Sequence, residues 1–330
     1  MNLPDSTAQP LTLHTRDGYP LAALRYPAQG PRRGNLIVAG ATGVPQLFYK
    51  AFAEFAAAQG YTTLTLDYRG IGLSKPRTLR GFRMAYLDWA HQDLAAAVDA
   101  MTEDGTPLFM VGHSFGGHAF GLLPNHDRVA RFYTFATGAG WAGWMPPAER
   151  IKVNIMWRLI GPLLTRWKGY LAWSKLGMGE DLPLGVYRDW KHWCRFPRYF
   201  FDDPAMAHLA DRFDRVTTPI RAANALDDLW APPASRDAFM AGYRHAEWRG
   251  VDIDPASGLA AFAKPLGTLR LDTSAAVPNE SALGTFLHAL IGYDAEPAGL
   301  QPPLVLVVDD SAVVRKMLTG ARSLSAGVGS

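Results

Sequence analysis

The chain has 330 residues, of which 48% are hydrophobic and 19% charged, enough apolar material for a sizeable core in one large domain. Its formal charge of +3, without a stripe of Lys and Arg among aromatic residues, gives no support for a nucleic-acid partner. Residues 1–10 lack the pattern of a secretory signal, and no stretch has the ~18 unbroken apolar residues of a membrane span, so no integral membrane segment is expected. The one cysteine, Cys194, cannot form an intrachain disulfide. We therefore expect a cytoplasmic protein.

The first part of the chain alternates between strand and helix patterns. Residues 10–27 predict two strands joined by a tight Asp-Gly turn, and residues 35–39 predict a buried strand that leads into a glycine-rich turn. Apolar residues at helical spacing predict a helix over residues 45–60, and the next strand follows at residues 61–68.

The alternation continues towards the middle of the chain. Residues 86–103 predict another helix, and residues 107–111 predict a buried strand that runs directly into Gly112. Strands that alternate with helices in this way are typical of an α/β fold, so we predict a mostly parallel sheet covered by helices on both faces.

The composition changes between residues 139 and 213. Seven of the ten tryptophans lie between Trp141 and Trp193, among helical but irregular apolar patterns. We therefore predict that residues 139–213 form a helical, Trp-rich cap. This cap would be inserted into a sheet domain made of residues 1–138 and 214–251.

Residues 112–116 read Gly-His-Ser-Phe-Gly, which fits the pattern G-x-S-x-G between a strand and a helix. A sharp turn of this kind needs glycines because side chains there would clash, and it presents the Ser114 hydroxyl at the end of the sheet. Ser114 is therefore the predicted nucleophile. The backbone N–H of Phe115, at the start of the next helix, is predicted to donate to a developing oxyanion.

A second oxyanion donor is expected in the loop after an earlier strand. The segment Ala-Gly-Ala-Thr-Gly at residues 39–43 follows the strand at residues 35–39, and the N–H of Ala41 is the best placed donor. The same segment is equally compatible with an ordinary turn at the end of a strand, so both interpretations stay open.

The acid that orients a catalytic histidine should follow a later strand. The pattern at residues 219–226 predicts such a strand, and Asp227 and Asp228 come directly after it. Asp228 has the better offset from the strand and is the predicted acid, whereas Asp227 is expected to face solvent or cap the turn. The alternative is a solvated acidic loop without a catalytic role.

Three motifs in this order, GHSFGG, DYRGIGLS and ALDDLWAPP, resemble the α/β-hydrolase superfamily. The resemblance covers roughly residues 10–251 and is nearest to the capped esterases and lipases, a group that includes monoglyceride lipases and serine aminopeptidase-like proteins. It implies an α/β-hydrolase fold and a Ser-Asp-His triad, without specifying a substrate.

The resemblance also implies a histidine after the last strand, commonly as a Gly-His pair. The last strand is expected near residues 245–253, and the segment that follows it, DPASGLAAFAKPLGTLRLD, contains no histidine. His288, 60 residues beyond Asp228, is the only histidine after that strand, and its helical surroundings favour a surface role over a catalytic one. Loop, surface or packing roles are expected for the others: His14, His91, His113, His118, His126, His192, His208 and His245.

The last part of the chain, residues 252–330, is rich in Ala, Gly and Pro and is expected to be an atypical, poorly packed tail. Within it, the start of residues 302–330 resembles the opening of a response-regulator receiver domain, with an acidic pair at Asp309 and Asp310. About 29 residues are too few for such a domain, which needs roughly 100. We therefore expect a fusion, a frameshift or a truncated product in place of a normal hydrolase C-terminus.

Together these features predict a serine hydrolase that acts on an ester, or alternatively a thioester or amide, of a moderately apolar acyl compound. The absent Gly-His pair keeps open a catalytically impaired or non-catalytic protein with the same fold, and acyl transfer to an acceptor other than water would use the same residues. The expected partner is a small-molecule acyl substrate. No cofactor is predicted, and no His, Cys or Asp spacing suggests a metal ligand set.

Overall fold

A computed structural model describes residues 8–176 and 179–253 of the chain. The predicted tail starts at residue 252, but Asp252 and Ile253 belong to the last strand of the sheet, and the rest of the predicted tail falls on residues 254–330. His288 and the receiver-like segment at residues 302–330 therefore lie outside the described residues.

The centre of the fold is an eight-stranded sheet with the strand order β1-β2-β4-β3-β5-β6-β7-β8. The pairs β1–β2 and β2–β4 are antiparallel, and all other neighbours are parallel. This confirms the predicted mostly parallel sheet. The strands are β1 (Gln9–His14), β2 (Pro20–Tyr26), β3 (Gly34–Ala39), β4 (Tyr61–Leu66), β5 (Leu108–His113), β6 (Val129–Phe135), β7 (Ile220–Ala225) and β8 (Trp248–Ile253).

Helices flank the sheet and fill the long connection between β6 and β7. They are α1 (Lys50–Ala58), α2 (Ala95–Met101), α3 (Phe115–Ala119), α4 (Pro147–Ile155), α5 (Gly161–Lys168), α6 (Leu184–Trp193), α7 (Ala210–Phe213) and α8 (Pro233–Met240). A π-helical turn at Trp89–Leu94 leads into α2, and a second one at Met156–Ile160 joins α4 to α5.

Both faces of the sheet are covered, as the alternation of strands and helices predicts. Successive side chains of a strand point to opposite faces, and β3 shows the consequence. Leu36 packs in one apolar cluster with Phe52 of α1, whereas its neighbour Ile37 packs in the other with Ala97 of α2. The fully buried pattern of β3 is therefore that of a central strand between two helical layers.

The structure differs from the predicted elements in two places. The strand β6 was not among the predicted elements, and the predicted helix at residues 86–103 begins only at Trp89. Between β6 and β7, here termed the β6–β7 segment (residues 136–219), short helices alternate with loops, and the described residues contain one isolated bridge, between Leu171 and Leu182.

A buried ion pair holds the loop after β4 against the helical layer. The Arg69 side chain is 5% exposed, its Nε donates to Oδ1 of the fully buried Asp93 at 2.7 Å, and its backbone N–H donates to Oδ2 at 2.8 Å. The guanidinium also binds Asp17 in the turn between β1 and β2, and this contact lowers the pKa of that carboxyl. One arginine thus joins the turn of the first hairpin to the helical layer.

Candidate active site

Ser114 lies in a strained turn between β5 and α3. Its backbone has φ 51°, a left-handed conformation that residues with a side chain rarely adopt and that is typical of nucleophile elbows. The two flanking glycines make the turn possible. A Cβ on Gly116 would lie 2.1 Å from the carbonyl oxygen of Ala39, and one on Gly112 would lie 2.5 Å from the backbone of Gly116.

The backbone of Ser114 is held by hydrogen bonds to the end of β6, to the loop that follows β6 and to α3. Its N–H donates to the carbonyl of Phe135 at 2.9 Å, and its own carbonyl accepts from the Thr137 hydroxyl at 3.0 Å and from the N–H of Gly117 at 2.9 Å. These contacts hold the strained turn in place and so fix the direction in which the Ser114 side chain leaves the backbone.

The same Thr137 links the turn to the predicted acid loop. The Asn224 side-chain amide donates to the Thr137 carbonyl at 3.2 Å and to the Ala231 carbonyl at 2.7 Å. Ala231 belongs to the loop that carries Asp228, so hydrogen bonds run without interruption from Ser114 to that loop.

The two neighbouring aspartates have different environments. Asp228 is buried, and its Oδ1 accepts from the N–H groups of Trp230 and Ala231, both at 2.8 Å. Asp227 is exposed. A carboxylate fixed by backbone donors at the carboxyl end of a parallel strand has the constraint needed to orient an imidazole, and of these two neighbouring aspartates Asp228 has it.

The backbone N–H groups of the two predicted oxyanion donors differ in their hydrogen bonding. Phe115 is the first residue of α3, so no carbonyl of that helix can accept from its N–H. The N–H of Ala41 donates to the Tyr49 hydroxyl at 2.8 Å, and this hydroxyl also contacts Nδ1 of His113 at 2.9 Å. The role of Ala41 as an oxyanion donor stays a prediction, and it requires the hydrogen bond to Tyr49 to be exchanged.

Aromatic side chains connect the turn to the β6–β7 segment. Phe115 stacks on Tyr86 with ring centroids 4.5 Å apart, and Tyr86 lies parallel to Trp193 of α6 at 6.0 Å. The N–H of Tyr86 donates to Asp189 of α6 at 2.9 Å, and burial raises the pKa of that carboxyl. These buried rings therefore pack the turn at Ser114 against α6.

The histidines near Ser114 make other contacts. His118 on α3 forms a 2.8 Å hydrogen bond through Nε2 with the carbonyl of Gly138 and stacks on Tyr199. His192 contacts Asp203 at 2.9 Å. His91 is partly buried, and burial lowers the pKa of its imidazole.

Cys194 is not an alternative nucleophile in this region. It is buried, and burial raises the pKa of its thiol well above the usual value, which keeps the sulfur protonated. Among the described residues, no group of three or more His, Cys, Asp or Glu side chains is placed to hold a metal ion. The functional groups that the candidate site offers are thus the Ser114 hydroxyl, the Asp228 carboxylate and backbone N–H groups.

Sequence patterns did not reveal three residues of this region: Tyr49, Thr137 and Asn224. Asn224 carried the one usable signal, because an amide within the apolar strand Ala-Ala-Asn-Ala-Leu must find partners when it is buried. Tyr49 and Thr137 make hydrogen bonds to residues that are distant in sequence or belong to a separate loop. No local sequence pattern marks either residue.

Residues 32–175 match the family model described as serine aminopeptidase, S33. The fold is similar to that of a soluble variant of monoglyceride lipase from Saccharomyces cerevisiae, solved with a substrate analogue (TM-score 0.56, 16% identity, covering 76% of this chain and 88% of that one). It is also similar to Est1E from Butyrivibrio proteoclasticus, solved with ferulic acid bound (TM-score 0.53, 18% identity, covering 86% and 99%). No curated protein matches the sequence.

Proposed function

We propose that the chain is a serine hydrolase of the α/β-hydrolase superfamily and that it cleaves an ester of a moderately apolar acyl compound. The match of residues 32–175 to the serine aminopeptidase model and the similarity of the fold to the two solved structures support this proposal. The observation that carries this proposal is the strained Ser114, which is joined through Thr137 and Asn224 to the loop of the buried Asp228. Strain at a residue with a hydroxyl, held by several hydrogen bonds, is expected at a functional position.

In the proposed reaction, the Ser114 hydroxyl attacks the carbonyl carbon of the ester and its proton passes to a histidine. The negative charge that develops on the carbonyl oxygen is stabilised by the Phe115 N–H, with Ala41 as the second donor. The alcohol leaves with the proton from the histidine, and water then releases the acid from the Ser114 acyl-enzyme. Asp228 holds the histidine in its catalytic orientation.

We assign the base to His288, the only histidine in the sequence beyond β8. The contacts of His113, His118 and His192 support this choice, because each ring contacts a partner outside the proposed triad. The preference for an apolar acyl group rests on the aromatic composition of the β6–β7 segment, which holds seven of the ten tryptophans.

A fluorophosphonate probe tests the nucleophile. We expect the full-length protein to be labelled on Ser114, and the label to be absent in Ser114→Ala. Ser174→Ala, which removes an exposed serine of the β6–β7 segment, is the matched control and should be labelled like the wild type. A wild type that is not labelled would contradict the proposal and leave a non-catalytic protein with a hydrolase fold.

The base is tested by the rate of the same labelling. His288→Ala should slow the phosphonylation of Ser114 by about 10³-fold or more, because a serine without a general base is a weak nucleophile. His14→Ala, in the exposed part of β1, serves as the control. An unchanged rate in His288→Ala would remove this residue from the mechanism.

The Ala41 donor is tested at Tyr49. Tyr49→Phe keeps the ring but removes the hydroxyl that accepts from the Ala41 N–H. Because one hydrogen bond no longer has to be exchanged, we expect labelling and ester hydrolysis to become about 2–10-fold faster. A tenfold fall would show instead that the Tyr49 hydroxyl assists the reaction and that Ala41 is not the donor.

A further inference from the structure

The outer surface of one long helix carries a regular row of exposed apolar side chains. The helix is continuous over residues 147–168, through α4, the π-helical turn and α5. Five large apolar residues at every fourth position are between 47% and 62% exposed: Ile151, Ile155, Leu159, Leu163 and Trp167. At 1.5 Å per residue this outer row is about 24 Å long.

The outer row is separate from the face by which the helix packs on the protein. That inner face is formed by Val153, Met156 and Trp157, which are buried in the main apolar cluster. Gly161 brings the backbone so close to α6 that a Cβ there would lie 2.5 Å from the Tyr187 hydroxyl. The helix is therefore already anchored, and packing within the described residues does not account for its second apolar face.

Positive charge is concentrated along the same helix. It contains one acidic residue, Glu149, which is buried and paired with Lys152. Because the whole chain has a formal charge of only +3, the rest of the molecule is close to neutral. The five basic residues of the helix are Arg150, Lys152, Arg158, Arg166 and Lys168.

Further cations lie next to this surface. Arg80 donates to the carbonyls of Trp167 and Lys168 at the end of the helix. Burial, followed by the nearby charges of Arg195 and Arg158, lowers the pKa of Lys191. The positive charge thus extends beyond the helix itself.

We propose that the outer row and its basic residues form a docking surface for an anionic lipid membrane. Exposed Leu, Ile and Trp between Arg and Lys are the composition of helices that lie in the plane of a bilayer surface, where the apolar side chains enter the boundary and the cations meet lipid phosphates. The Lys168 ammonium lies 3.8 Å from the centre of the Trp167 ring, a pairing of amphipathic side chains suited to that boundary. Within the described residues, none of the helices is long and apolar enough to cross a bilayer.

Co-sedimentation of the full-length protein with vesicles tests this surface. We expect binding to vesicles of phosphatidylcholine with phosphatidylglycerol, weaker binding to phosphatidylcholine alone, and loss of the difference at high salt. Changing Leu159 and Leu163 together to Glu should lower the partition coefficient about tenfold or more. Leu73→Glu, at an apolar residue that is 77% exposed on another element, should bind like the wild type.

Equal binding of the wild type and the Leu159→Glu/Leu163→Glu variant to anionic vesicles would overturn the proposal. So would the absence of vesicle binding by the wild type. Sedimentation equilibrium would then identify what covers the outer row. A lower molecular mass of the variant than of the wild type would identify a second copy of the chain, and an equal mass would point to another part of the same chain. None of these readouts depends on catalysis at Ser114.

Discussion

Replacing Asp228 with asparagine is expected to lower kcat/KM for an activated ester by about 10⁴-fold. The asparagine keeps an oxygen that can accept from the N–H groups of Trp230 and Ala231, so the loop should stay in place. The substitution removes the negative charge that stabilises an imidazolium. The asparagine amide can also hold the imidazole in the wrong tautomer. The rate of fluorophosphonate labelling should fall together with kcat/KM.

The neighbouring Asp227 offers a matched control for this prediction. Asp227 is exposed whereas Asp228 is buried, so Asp227→Asn changes the net charge by the same amount at the adjacent position. We expect kcat/KM within about twofold of the wild type, because an exposed charge at this distance is screened by solvent. Equal losses in the two variants would show that the local charge, and not the orientation of a base, controls the reaction.

Replacing Asp93 with alanine is expected to lower the free energy of unfolding by about 3–5 kcal/mol. The change leaves the inner side of the buried Arg69 guanidinium without its carboxylate and takes the acceptor from the Arg69 backbone N–H. Desolvation of a charge that has lost its partner is the physical cause. Equilibrium unfolding in urea measures the effect.

An exposed ion pair provides the comparison for Asp93. Glu247 and Arg249 are 3.3 Å apart, with side chains 63% and 68% exposed, and Glu247→Ala should cost less than about 1 kcal/mol. If Asp93→Ala costs no more than Glu247→Ala, the pair between Arg69 and Asp93 does not stabilise the fold in the way described here.

The sequence predicted those parts of the fold that local patterns encode. The Asp-Gly turn marked the β1–β2 hairpin, and G-x-S-x-G marked the turn at Ser114 because its glycines are required by contacts of 2.1 Å and 2.5 Å. The strand β6, with the sequence Val-Ala-Arg-Phe-Tyr-Thr-Phe, was missed even though the turn-forming residues Pro-Asn-His-Asp precede it.

The hydrogen bonds that join the candidate site together could not be predicted in the same way. The Thr137 hydroxyl reaches Ser114 across 23 positions, and Asn224 reaches Thr137 across 87. Such contacts depend on which strands become neighbours in the sheet, and that order arises from packing of the whole chain. The hydrogen bond from Ala41 to Tyr49 joins residues that are closer in sequence, but the spacing of apolar residues gives no indication of it.

The central claim is that Ser114 becomes acylated and then deacylated, and burst kinetics test it most directly. Rapid mixing of the protein with an excess of a p-nitrophenyl ester should release one equivalent of p-nitrophenol before the steady state, and acid quenching during the burst should leave the acyl group on the peptide that contains Ser114. An absent burst with no acylated peptide, or an acyl group found on another residue, would contradict the account.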